Sequence, residues 1–193
     1  MKKQLLTLAL MVFTSVAFAQ DYKAFKVGLG LGYAGAPDGE GGIAVYLEPA
    51  YRVSDEIAIG LRMETAVLLK GVSTDGTTID SDGSASANGS FTLNGQYYLS
   101  NEKFRPFVGL GLGLYSLASV EIAGDDGALS AGTEFGFYPR VGFDYGHLNL
   151  IFDYNFIPNT DGTIDINTNP QEVEIKNSYF TIKLGVSIGG GSK

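Results

Sequence analysis

Ten charged residues stand at alternating positions among apolar and aromatic ones: Lys26, Glu48, Arg52, Arg62, Glu64, Glu134, Arg140, Asp144, Asp153 and Lys183. Successive side chains of a strand point to opposite faces, so this spacing gathers charge on one face and apolar bulk on the other. Tyr46, Asn94, Gln96, Tyr98, Tyr138, Asn149 and Asn155 share the charged face. Enclosed in a narrow interior, such a set has two uses. It can line a gated or very narrow ion path, or it can form a network of ion pairs that replaces an apolar core. Either way each enclosed charge needs a partner, because an unpaired one costs several kcal/mol.

Other chemistry is thinly supplied. The chain has no cysteine and one histidine, which excludes disulfides, thiolate metal sites and thiol nucleophiles. His147 falls in a tight turn, Gly146-His147. A Ser-His-acid hydrolase working on outer-leaflet lipid would need its imidazole at the opposite end of the molecule. Gly28-x-Gly30-x-Gly32 and Gly109-x-Gly111-x-Gly113 look like phosphate loops, but each lies within a strand and no helix follows. Asn88-Gly89-Ser90 is too short a sequon to carry weight. No enzyme activity, cofactor or confident metal site is expected, and a net charge of -8 argues against nucleic acid.

The segments between the alternating runs are acidic. Asp38, Glu40, Asp75, Asp80, Asp82, Glu121, Asp125, Asp126, Asp161, Asp165, Glu172 and Glu174 face only Lys70 and Lys176 as counter-charges. Asp80-Ser81-Asp82-Gly83 and the run Asn159 to Asp165 have the composition of calcium loops. Neither completes the twelve-residue pattern that ends in glutamate. Solvated turns are the default there, and Asp80, Asp82, Asp125, Asp126, Asp161 and Asp165 are weak divalent-cation candidates.

Eight alternating runs must position the charges: Phe25 to Tyr33, Ile43 to Val53, Ile57 to Leu69, Phe91 to Leu99, Val108 to Leu114, Phe135 to Tyr145, Leu148 to Phe156 and Phe180 to Ile188. Most approach the ~9 to 11 tilted residues that cross a bilayer as a strand. The face carrying the charges also carries Gly28, Gly30, Gly32, Gly60, Gly109, Gly111, Gly113, Gly136, Gly142 and Gly185. Small residues belong on the concave side of a narrow barrel, where their missing side chains leave room for long Arg, Glu and Tyr. The bulky, uncharged face then points to lipid. Backbone groups in lipid must all be paired, so the sheet has to close on itself.

Residues 1–19 have the layout of a cleavable signal peptide: Lys2 and Lys3, an apolar run from Leu5 to Phe13, and Ala17-Phe18-Ala19 before Gln20. Its removal leaves 11 basic and 21 acidic residues in a barrel domain over 20–193. Tight turns at Ser54 to Glu56, Ser100 to Lys103 and Gly146-His147 alternate with longer segments at Ala34 to Gly41, Lys70 to Gly89, Ser119 to Gly132 and Ile157 to Asn177, which read as loops. With the signal peptide and the eight strands, this asymmetry resembles the small outer-membrane barrels of OmpA-type and OmpX-type proteins. The resemblance implies an all-β, eight-stranded antiparallel up-and-down transmembrane barrel. It also implies a monomer in the cell outer membrane, with short turns on the periplasmic side, and a role in envelope integrity or surface interaction. Its partners would be lipopolysaccharide, the barrel-assembly machinery during insertion, and an unidentified extracellular surface. A porin-like passage for small solutes stands as the alternative.

Two features depart from that family. The chain ends Ile188-Gly189-Gly190-Gly191-Ser192-Lys193 instead of on an aromatic residue, and Pro49 and Pro139 sit mid-strand, where a bulge or distortion is expected. The turns also fix register. They place Arg140 opposite Asp153, Asp144 opposite Asn149, Glu48 opposite Arg62 and Tyr46 opposite Glu64, so that opposite charges meet within hairpins.

Overall fold

The computed structural model describes residues 23–36, 41–74, 77–121, 129–166 and 169–190, with the side chains of 69–85, 119–131 and 161–175 outside the described set. The expected signal peptide and Asp38, Glu40, Asp75, Asp125 and Asp126 lie outside the described residues. Eight strands close a barrel: β1 (Phe25–Gly35), β2 (Gly41–Arg52), β3 (Ile57–Thr74), β4 (Thr77–Tyr98), β5 (Phe104–Glu121), β6 (Leu129–Tyr145), β7 (Leu148–Asn155) and β10 (Tyr179–Gly189). Each pairs antiparallel with its chain neighbour, and β10 seals the seam against β1. Between β7 and β10, β8 (Thr160–Ile166) and β9 (Asn169–Ile175) form a separate two-stranded sheet.

The strands are strongly tilted. Ladder partners traced once around the wall run from Ala24 through Arg52, Ala58, Gln96, Gly109, Arg140, Asp153 and Thr181 to Ala34, ten residues further along the first strand's chain. Such a stagger sets both tilt and bore, and with eight strands the bore is just wide enough for side chains to fill. The alternation decides which face fills it. Leu31 and Ile188 are 64% and 65% exposed while Arg62 and Lys183 are fully buried. Charges inside and bulky apolar groups outside invert the arrangement of a water-soluble barrel.

Glycine makes the interior passable for large polar groups. The ring of Tyr138 occupies the space above Gly111, and the Arg140 methylenes cross Gly109, with Cγ 2.9 Å from where a Cβ would stand. Gly146, at a φ of 61°, supplies the left-handed backbone of the two-residue β6–β7 turn.

Three expected loops are in part strand. β3 runs to Thr74 and β4 starts at Thr77, so most of Lys70 to Gly89 is a long hairpin and not a loop. β5 and β6 extend likewise to Glu121 and from Leu129, and Ile157 to Asn177 contains the β8–β9 hairpin. These segments lack a face that must be apolar, so alternation does not mark them, although backbone pairing continues. The prolines interrupt the ladder without shifting it. Pairing of β2 with β3 skips Glu48 and Pro49 between Leu47↔Met63 and Ala50↔Gly60 and keeps its register, and pairing of β6 with β7 skips Tyr138 and Pro139 in the same way. Pro lacks the donor that either position would offer. The one register shift among the described strand pairs lies between Lys70 and Val72.

Candidate functional site

The barrel has a turn end, where the tight connections and both described chain ends meet, and a hairpin end. Polar groups fill the interior in tiers between them. At the turn end, Lys26 Nζ donates to Asp144 Oδ2 at 2.6 Å and to the Tyr98 hydroxyl at 3.0 Å. That hydroxyl stands 3.0 Å from Asp144 Oδ2 and 3.1 Å from Gln96 Oε1. The guanidinium groups of Arg52 and Arg105 stack on the Tyr98 ring, 4.8 and 4.2 Å from its centroid. Arg105 also donates to the carbonyl oxygens of Asp55 and Ser100 and to Asn101, which ties the β2–β3 and β4–β5 turns together.

In the next tier Arg140 Nη1 donates to Glu48 Oε2 at 2.7 Å, and Gln96 donates to the other Glu48 oxygen at 3.0 Å. Beside them Tyr46 donates to Asn149 at 2.6 Å and Asn149 donates to Ser187 at 2.9 Å. Arg140 and Asp144 line a cavity here with room for about one water. Arg140 Nε and Nη2 and Asp144 Oδ1 have no protein partner, and a water in this cavity would satisfy them.

A four-charge ring follows. Arg62 donates through Nη1 to Asp153 Oδ2 at 2.9 Å and through Nη2 to Asn155 at 3.0 Å, with its Nε 3.6 Å from Glu64. Lys183 donates to Asp153 at 2.7 Å and to Glu64. Thr181 and Asn155 donate to the second Asp153 oxygen, Tyr179 donates to the second Glu64 oxygen, and Tyr115 donates to Asn155. The Tyr138 ring lies flat on the Arg62 guanidinium, 3.6 Å from centroid to Cζ. All four charged side chains are fully buried, and every carboxylate oxygen of the ring has a donor.

Toward the hairpin end the interior becomes mostly apolar, with the buried Ser86 donating to Asn88 as a polar exception among the described residues of that level. Ala34, Ala44, Ala66, Leu68, Leu117 and Ile157 form one cluster with the rings of Tyr115, Tyr138 and Tyr179. The interior thus runs from a charged turn end to an apolar collar.

Two expectations about the charges are corrected. The register does place Arg140 opposite Asp153 and Tyr46 opposite Glu64, yet the ion pairs and hydrogen bonds do not follow the hairpins. Glu48 pairs with Arg140 and not Arg62, Arg62 pairs with Asp153, and Tyr46 bonds Asn149. In so narrow a bore a guanidinium reaches the far wall across glycine, so opposite strands supply the partners. Glu134 is half-exposed near the hairpin end instead of joining the buried set. Arg105, on β5 and buried, joins the interior charges, and Pro106 beside it masks the alternation there that would signal a strand. Asp80 and Asp82 lie on β4 and Asp161 and Asp165 on β8, their side chains outside the described set. Among the described residues no group of three or more His, Cys, Asp or Glu is arranged to hold a metal ion.

The outer surface is a continuous apolar belt with aromatic residues at both rims. Phe25, Tyr51, Tyr97, Phe104, Phe143 and Tyr145 ring the turn end. Nearer the hairpin end Tyr33, Phe180 and Phe152 form one set of ring contacts and Tyr154, Phe156 and Phe137 another, with neighbouring centroids 4.5 to 6.4 Å apart. Two aromatic girdles around an apolar band are what a strand-built membrane crossing requires. A family model described as the outer membrane protein beta-barrel domain matches residues 5–188. The chain belongs to that family. It is an outer-membrane barrel.

Solved structures share this barrel's fold. Neisserial surface protein A is 16% identical, with a TM-score of 0.55 over 86% of this chain and 96% of the other. The outer membrane protein OprG from Pseudomonas aeruginosa is 15% identical, with a TM-score of 0.55 over 89% and 99%. The outer membrane protein AlkL, solved in DMPC lipid bilayers, is 22% identical, with a TM-score of 0.50 over 88% and 91%. Comparison with curated protein sequences returns no match.

Proposed function

We propose that this protein is a non-conducting, non-enzymatic barrel that contributes to envelope integrity or surface interaction, with the charged interior as a permanent plug. The observation that carries this reading is the sequence of barriers along one axis. The Lys26–Asp144–Tyr98 cluster, the Arg140–Glu48 pair and the four-charge ring each span the bore, and the apolar collar lies beyond them. Ions would have to displace buried ion pairs and then cross the mostly apolar collar. Function then falls to the exterior, where the acidic segments beside phosphate-bearing lipopolysaccharide favour bridging by divalent cations. In this reading residues 1–19 are removed on export, the assembly machinery inserts the chain, and the mature barrel is a monomer.

The test is single-channel current across a planar bilayer, with insertion verified by the gel mobility difference between heated and unheated protein. Silence from an inserted barrel is the expected result, and steady discrete steps would overturn it. One observation favours a second reading, a narrow channel. The buried charges of the described interior comprise the bases Lys26, Arg52, Arg62, Arg105, Arg140 and Lys183 and the acids Glu48, Glu64, Asp144 and Asp153, an excess of basic groups in an acidic chain. A channel built on them would prefer anions, so the sign of the reversal potential in a salt gradient identifies the interior as the source of any current.

A further inference from the structure

The barrel wall is not finished at one place on its outer side. β6 pairs with β5 along its whole length, but its other edge is paired with β7 only from Arg140 to Tyr145 and at one further bridge, Phe137 to Phe156. Beyond that bridge no described strand pairs with this second edge over residues 129–136. Phe137 and Phe156 exchange both backbone hydrogen bonds. Phe135, Thr133, Ala131 and Leu129 therefore direct their amide and carbonyl groups to the open side, since the bonding direction alternates along a strand.

The reason for the break is local. Two residues after Phe156 the chain reaches Pro158, which has no amide to give Phe135. Past it the chain bends, and side chains hold the bend. The Ser178 hydroxyl accepts from the Ile157 amide at 3.2 Å and donates to the Ile157 carbonyl at 3.1 Å. The buried Asn177 amide donates to the Pro158 carbonyl at 2.8 Å and to the Thr160 hydroxyl at 3.2 Å. β8 begins immediately afterwards, extended and with a partner on one side only.

We propose that β8 is a closing strand for the open edge of β6, held away by the Ser178 and Asn177 latch. Continuing the β6–β7 register past the bridge sets Thr133 opposite Thr160, Ala131 opposite Gly162 and Leu129 opposite Ile164. On the alternate positions Glu134 meets Asn159, Gly132 meets Asp161 and Ser130 meets Thr163. No like charges oppose each other in that register, whereas the β8–β9 register sets Asp161 opposite Glu174. β9 can stay attached, because straightening the chain at Ile157 to Asn159 and at Lys176 to Ser178 moves the hairpin as a unit. Zipped, it extends the wall outward beside the collar residue Ile157. Bent, it leaves a notch there. This inference stands apart from whether the interior conducts.

The chain's lack of cysteine makes the test direct. Thr133→Cys with Thr160→Cys in the full-length barrel in lipid vesicles, treated with a short bifunctional thiol reagent, is compared with Thr133→Cys with Gln171→Cys, whose second site lies on β9. Insertion of each variant is checked by gel mobility. The in-register pair should cross-link about tenfold faster, because only it is held at pairing distance. Adding Ser178→Ala should speed it about fivefold further, as expected for removal of a latch bond worth about 1 kcal/mol. Equal rates for the two pairs, or an in-register rate that Ser178→Ala leaves unchanged, would overturn the proposal.

Discussion

Removing Arg62 tests whether the four-charge ring behaves as one unit. Arg62→Met takes a donor from Asp153 and from Asn155 and leaves Asp153 and Glu64, both fully buried, to share Lys183. Breaking a buried pair from one side costs about 3 to 5 kcal/mol, and loss of the face-on contact with Tyr138 adds up to about 2. Methionine packing recovers part of this, so about 4 kcal/mol is expected against a total that for domains of this kind is about 5 to 15. Asp153→Asn should cost about 3 kcal/mol for the mirror reason, two cations facing one carboxylate. The double variant restores balance, because Lys183 and Glu64 remain as a one-to-one pair. It should be no worse than the weaker single variant, which puts the coupling near 3 kcal/mol. The chain has no tryptophan, so urea unfolding in lipid vesicles is followed by circular dichroism and gel mobility. Costs that add to within about 0.5 kcal/mol would refute the claim that these charges form one network.

Other perturbations separate the interior from the surface. Leu31→Arg, at the centre of β1 on the lipid face, should destabilise the inserted barrel by about 2 to 4 kcal/mol, whereas a water-soluble barrel would tolerate it; vesicle unfolding decides. Tyr98→Phe keeps the ring between Arg52 and Arg105 but strips the hydroxyl from Lys26, Asp144 and Gln96, and should cost about 1 to 3 kcal/mol in the same assay. Gly32→Ala would press a methyl group into the Ile182 carbonyl and Lys183 Cα at the β1–β10 seam, while Gly89→Ala meets nothing within 4 Å. The first should lower the yield of heat-modifiable folded protein and the second leave it unchanged, with about 1 to 3 kcal/mol between them.

How far the sequence reveals this molecule depends on what physical constraint each segment carries. From Phe25 to Tyr33 or from Leu148 to Phe156 one face must be apolar for lipid and the other small or polar for the bore, so alternation is visible. Ser84 to Gly89 pairs just as regularly, but with no lipid to satisfy it carries no such mark and reads as loop. The buried charges were legible as a set because none lies on the lipid face. Their partners were not, because register reports which residues are opposite along a wall and says nothing of which side chains reach across the bore. Arg105 was hidden by its neighbour Pro106, and the Ser178 latch by the ordinary look of a serine in a polar segment.

The way the charges pair also bears on how such a chain avoids stopping half-built. Lys26 and Asp144 are 118 residues apart, Glu64 and Lys183 are 119 apart, and Arg62 and Asp153 are 91 apart. Had the pairs formed within hairpins, as register alone suggests, each hairpin would satisfy its own charges and an open sheet would be almost as good as a closed one. With partners on opposite walls, an unclosed sheet in the membrane separates Lys26 from Asp144, Glu48 from Arg140 and Arg62 from Asp153 in a medium where each unpaired ion costs several kcal/mol. The same geometry makes closure slow, since the longest loops must form before any pair is gained. Hydrophobic alternation therefore brings the strands to the bilayer, and the cross-bore charges make the closed eight-stranded arrangement the one state in which the interior is satisfied.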